Sequence, residues 1–215
     1  MSTTTNARPR GDRRRMMWIM RKAPVISTLL FFATMSLGAA ELSERDRQHL
    51  IAHMDMTASW FIDEVSGLTQ AQLDFRRDAD TWTIMEVIEH VVMVGPIYWD
   101  DLHTALKGPE TDQDLSGRDV EILWYGINRA FRDPAIPSER PKGQLRDLRA
   151  GLETYRKQHA RLLDYVKTTK DDLRRHFVAR QRSDAYQWVL LISTHEQRHI
   201  LQIREIKADS RFPRK

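Results

Sequence analysis

Residues 183 to 207 repeat their apolar side chains at helical spacing, and two histidines stand in the same row. At roughly 100° per residue, Trp188, Ile192, His195, His199, Ile203 and Ile206 fall on a single stripe. This stripe most constrains the fold, because a helix with a continuous apolar face must bury it against other elements and take both imidazoles inside with it. Buried neutral imidazoles need partners for their nitrogens. Two of them one turn apart in an apolar seam are hard to satisfy without a metal ion or a polar network. The i, i+4 separation also lets both reach one ion from the same side.

The chain after residue 40 supplies helices for that stripe to pack on and shows no strand alternation. A first helix is expected from about Ser43 to Val65, with Leu50, Met54, Ala58, Phe61, Ile62 and Val65 at core spacing and Gly67 as its stop. A second begins at "TWTIMEVIEHVV", where Thr83 and Glu86 form a capping box, and runs to about Lys107. Pro96 predicts a kink near Val92 to Gly95. Residues 108 to 142, rich in Pro and Gly, read as a long connection with a short helical piece around Val120 to Phe131. A third helix is expected from about Gln144 to Thr168 and a fourth from about Ser183 to Lys207. The fold class is therefore all-α, a four-helix bundle with a long connection between helices two and three.

A third metal ligand is most plausible at His90, which flanks the apolar face of the second helix one turn after Glu86. A rival pair, His49 and His53, has the same i, i+4 spacing but falls away from the centre of the Leu50/Met54/Phe61 stripe, so both are read as mostly solvated. His103, His159 and His176 have no such company and are read as surface residues. The chain has no Cys, so any metal must be held by His and carboxylates.

"HEQRH", 195 to 199, also fits the H-E-x-x-H pattern of zinc proteases. Only 16 residues follow His199, and "HILQIREIKAD" lacks the glycine turn and third histidine of the extended motif. Glu205 lies six residues on along the same helix and points elsewhere. These features argue against a protease. Glu196 and Glu86 are candidates for proton transfer or for orienting the site, while Gln202 and Trp82 are candidates for lining it.

Residues 1 to 22 hold seven Arg or Lys against one Asp, and the run "APVISTLLFFATMSLGAA" (23 to 40) follows. This is the layout of an export signal peptide over residues 1 to 40, with cleavage expected after Ala40 and an uncleaved membrane anchor as the alternative. Without the leader the formal charge changes from +4 to −2, so the basic balance does not point to nucleic acid. The expected location is periplasmic or extracellular.

At these residues the chain resembles the DinB/YfiT-like superfamily of metalloenzymes. "GLTQAQLDFRRDADTWTIMEVIEHV" (67 to 91) is similar to the family's Gly-Leu, Gln-containing turn and Trp-Ser/Thr-x-x-Glu-x-x-x-His run, and "THEQRHILQI" to its closing His-x-x-x-His-x-x-Gln helix. The resemblance covers nearly all of residues 41 to 215 and implies a DinB-like four-helix bundle. It also places the family's divalent-metal site on His90, His195 and His199, where three imidazoles suit zinc, nickel, iron and copper alike. It implies a metal-dependent hydrolase or a thiol-dependent transferase acting on a small molecule, with a non-catalytic metal- or ligand-binding envelope protein as the alternative. A homodimer is compatible with it, and a membrane enters only through a retained leader. The leader, the long connection and Pro96 depart from the family pattern. The leader matters most, because relatives use cytosolic thiols such as mycothiol or bacillithiol, or isomerise maleylpyruvate with such a thiol.

Overall fold

The computed structural model describes residues 41 to 214. The expected leader and its cleavage point after Ala40 lie outside the described residues, among which no helix is long and apolar enough to cross a membrane. Four long helices make the bundle: α1 (Glu44–Val65), α3 (Ile84–Leu106), α5 (Leu148–Thr168) and α6 (Ala185–Lys207). Two shorter ones, α2 (Gln70–Leu73) and α4 (Asp119–Ile127), lie in the connections. A two-residue hairpin, β1 (Phe177–Val178) with β2 (Ser183–Asp184), precedes α6, with Phe177 opposite Asp184 and Val178 opposite Ser183.

Local chemistry sets the helix starts. The Ser43 hydroxyl caps α1, and Thr83 with Glu86 closes the predicted capping box of α3. α6 begins two residues later than expected because Asp184, not Ser183, is its cap, in a box with Gln187. α5 begins at Leu148 rather than near Gln144, since the Gln144 and Lys142 amides donate instead to the buried Glu89 carboxylate, each at 3.0 Å.

Pro96 does not end α3, which is helical from Ile84 to Leu106. A proline ring removes the donor that would have served the Val92 carbonyl. Gln158 of α5 replaces it, its Nε2 donating to Val92 O at 2.8 Å. Gly95 makes room for this contact: a Cβ there would lie 2.4 Å from Gln158 Oε1.

The core has two apolar clusters. One gathers Leu50, Met54, Leu102, Val166 and Trp188, and the other Phe61, Ile84, Ile88, Tyr155 and Ile203. Along α6 the apolar residues of the two clusters are separated by the polar residues Ser193, Thr194, His195, Arg198 and His199, all buried. The buried stripe is the predicted one, with Ile192 half-buried at its margin.

Candidate metal centre

The site grows from two helices. α6 places His195 and His199 one turn apart on its buried stripe, and α3 brings His90 against them from across the bundle. The His90 and His199 Nε2 atoms lie 3.2 and 3.0 Å from His195 Nε2. One ligating atom from each residue lies within 4.8 Å of the other two. Three imidazole nitrogens around one tetrahedral ion stand about 3.3 Å apart, so the donor set fits a divalent ion with little rearrangement.

Two of the three rings are fixed from behind. His90 Nδ1 donates to the Glu139 carbonyl at 2.6 Å, which leaves its Nε2 as the lone-pair nitrogen. His199 Nδ1 lies 2.9 Å from Gln202 Oε1, and the amide oxygen can only accept, which again leaves Nε2 free to ligate. The Trp82 indole packs on this pair, with ring centroids 4.9 Å from His90 and 6.2 Å from His199.

Electrostatics keep the rings neutral. Burial lowers His90, and burial followed by the neighbouring His90 and Arg198 lowers His195 to about 3. Burial, then His195 and His90, holds His199 well below its ordinary value. His90 and His199 turn lone pairs toward His195, whose own neutral ring offers a third lone pair when its proton sits on Nδ1, and such a set suits a cation.

The triad opens into a cleft of about 910 Å³ under the 118–140 connection. Arg198, almost fully buried, holds that connection down: its guanidinium donates to the Tyr125 carbonyl at 3.1 Å and to the carbonyls of Asn128 and Phe131. Several cleft cations are neutralised within the fold. Arg129 makes a bidentate pair with Glu205 at 3.0 Å, and Arg180 bonds Glu139. Glu205 therefore lines the cleft without joining the ligands. Arg132 and Arg140 also line it and have no carboxylate partner among the described residues.

Of the residues singled out in the sequence, the structure joins His90, His195, His199, Gln202 and Trp82 in one cleft. Glu196 and Glu86 do not line it. Glu196 accepts from the Tyr155 hydroxyl at 2.9 Å, toward α5, because it lies about 100° around the helix from His195. Its carboxyl is pushed up to about 8, chiefly by burial. The Glu86 carboxylate accepts from the Thr83 amide at 2.8 Å and pairs with Arg76 at 2.7 Å.

Four histidines read as solvent-facing are not. His53 is half-buried with Nδ1 2.6 Å from Ser193 Oγ, His103 is half-buried with Nδ1 3.0 Å from the Trp99 carbonyl, His159 is half-buried with Nε2 3.6 Å from Asp55, and His176 is buried beside β1. Glu139 and Arg198 were missed altogether. Glu139 serves through a backbone carbonyl, which no residue pattern signals, whereas Arg198 could have been suspected as a charge inside the α6 apolar stripe.

A bundle of four long helices with three converging histidines defines a class of helical metal-binding proteins. The DinB superfamily model matches residues 47–203, well over half of the chain, and the protein belongs to that superfamily. No curated protein and no solved structure matches the sequence.

Proposed function

We propose that the chain is an exported, metal-dependent enzyme acting on a small anionic molecule, by hydrolysis or by transfer of a thiol. The observation that carries this reading is the convergence of three neutral Nε2 atoms at the edge of an open cleft. Structural metal sites close their coordination with four protein ligands, whereas catalytic sites keep a position for substrate or solvent. When bound, a divalent ion supplies Lewis acidity, which lowers the pKa of water or of a thiol toward neutrality.

The chain's own residues do the rest. The Glu139 carbonyl and the Gln202 amide hold His90 and His199 with Nε2 inward. Trp82 provides an apolar wall, and Arg198 holds the connection over the cleft. Arg132 and Arg140, which have no acidic partner among the described residues, favour a substrate bearing a carboxylate or phosphate. Export rests on the basic and apolar layout of residues 1 to 40.

A second reading, a non-catalytic envelope protein that binds metal or a small ligand, is favoured by one observation: neither Glu196 nor Glu86 lines the cleft. Elemental analysis of protein from its native compartment should find about one divalent ion per chain. Protein that is folded but free of stoichiometric metal would sink the first reading and leave of the second only a protein that binds a small ligand. Turnover by the loaded protein on a panel of esters, phosphoesters and thiol conjugates separates the first from the second.

A further inference from the structure

Of the three site histidines, His195 alone has no protein group behind it. His90 Nδ1 is taken by the Glu139 carbonyl and His199 Nδ1 by the Gln202 amide oxygen. The hydrogen-bond contacts of His195 are made by Nε2, and its Nδ1 has no partner among the described residues. Nor is that atom sealed in the way that the unpartnered Glu89 Oε2 and His176 Nδ1 are. To ligate through Nε2, a neutral His195 must carry its proton on Nδ1, and that proton needs an acceptor.

His195 also lines a second, smaller chamber of about 80 Å³ enclosed by α3, α5 and α6. Of the residues lining this chamber, Tyr98 and His195 also line the metal cleft, so the histidine stands between the two. The chamber walls are largely apolar, but Gln158 and Glu196 stand in them beside His195. The orientation of the Gln158 amide is set by Pro96. Its Nε2 donates at 2.8 Å to the Val92 carbonyl that the proline leaves unserved, so Oε1 is an acceptor, and it has no partner among the described residues. Glu196 Oε2 accepts from the Tyr155 hydroxyl at 2.9 Å, and a carboxyl group has further lone pairs to offer. An apolar cavity stays dry, whereas one with two to four polar partners and at least about 10 to 15 Å³ of room takes up water. This chamber has three such side chains and room for several waters.

We propose that ordered water in this chamber positions the third histidine: it accepts the Nδ1 proton of His195 and donates to Gln158 Oε1 and to the Glu196 carboxyl group. The water stands to His195 as the Glu139 carbonyl stands to His90 and the Gln202 amide to His199. Gln158 then has two duties. Its nitrogen repairs α3 at Pro96, and its oxygen, through the water, favours the tautomer of His195 whose Nε2 is free to ligate. This role rests on the metal-site reading and adds Gln158 to it as a positioning residue.

The test uses protein purified from cells expressing the full reading frame. A high-resolution crystal structure should show water within hydrogen-bond distance of both His195 Nδ1 and Gln158 Oε1. Gln158→Met and Gln158→Glu both remove the amide donor to Val92, so a purely structural role would change zinc affinity equally in the two. Only Gln158→Met removes the acceptor. In competition with a chelator it should lower zinc affinity by about 10- to 100-fold, whereas Gln158→Glu should keep at least the parent's affinity. Equal zinc affinities in the two variants overturn the proposal, as does a chamber without water at His195 Nδ1. If either variant fails to fold, the crystal structure of the parent still decides. Zinc binding by the parent tests the metal-site reading by itself, so its failure is distinguishable from failure of the water bridge.

Discussion

The chain contains two histidine pairs with the same i, i+4 spacing, and the bundle puts them to different use. His195 and His199 meet His90, and among the described residues the three Nε2 atoms have only one another as neighbours within hydrogen-bond reach. His49 is exposed, and His53 finds a hydroxyl: its Nδ1 lies 2.6 Å from Ser193 Oγ, which in turn lies 2.8 Å from Thr57 Oγ1. The cavity beside that second pair is larger, about 1,200 Å³, and also has charged side chains in its wall. There, however, the Arg174 guanidinium is met by Asp119 at 2.8 Å and by Asp46 and Asp184 at 3.2 Å each. Spacing alone does not make a binding site. What separates the two regions is whether the buried polar groups already have protein partners.

The largest difference to test is metal retention. His195→Ala or His199→Ala should abolish stoichiometric metal, and His90→Ala should weaken it strongly, whereas the His49→Ala/His53→Ala double variant should keep it. Elemental analysis of the purified variants decides this, and loss of metal from the double variant would collapse the distinction drawn here.

The converse test asks whether the paired region is a stability element. Arg174→Ala leaves three carboxylates facing one another and should cost about 2 to 3 kcal/mol in denaturant unfolding, somewhat below the figure for a fully buried pair because the guanidinium keeps some solvent contact. Metal content should not change. An effect confined to metal binding would mean that the two regions had been assigned the wrong way round.

Gln202→Ala sharpens the site's own account. It removes the acceptor behind His199 and should lower metal affinity by about 10- to 100-fold without unfolding the chain. Titration with a competing chelator measures this, and unchanged affinity would reduce Gln202 to a cleft lining.

The smallest effect concerns Glu196. Burial raises its folded pKa from an ordinary 4.5 to about 8, so the folded state holds a proton that the unfolded state has released. Stability tied to this group is full below about 4.5 and is lost as pH rises through about 8. Glu196→Gln keeps a neutral side chain of the same size. It should match the parent near pH 5, gain melting temperature relative to it as pH approaches 8, and retain full metal occupancy. A variant that drops its metal would make Glu196 a ligand after all.

Much of this was legible in the sequence because it depends on short-range periodicity. Thr83 and Glu86 mark the start of α3, the Trp188-to-Ile206 stripe gives the buried face of α6, and the direction of His195 and His199 follows from that stripe. His90 could be nominated from its place beside the α3 apolar face. Its convergence with the other two histidines could not be derived from spacing, because it depends on how α3 packs against α6. The same holds for Glu196: its angle on the helix was readable, but the Tyr155 hydroxyl waiting on α5 was not.

By itself, then, the sequence determined which residues are helical, which faces turn inward and which side chains are able to ligate, since these follow from backbone periodicity and side-chain chemistry within a few turns. Tertiary structure alone decided which buried groups were left over. The Glu139 carbonyl orients His90 from 49 residues away, and Gln158 serves the carbonyl freed by Pro96 from 66 residues after it. Arg198 clamps a connection roughly 70 residues upstream, and Ser193 partners His53 from 140 residues away. A hydrogen-bond partner is fixed by position in space, and only the packing of α3 against α6 brings the nitrogens of His90, His195 and His199 together, where they suit a metal.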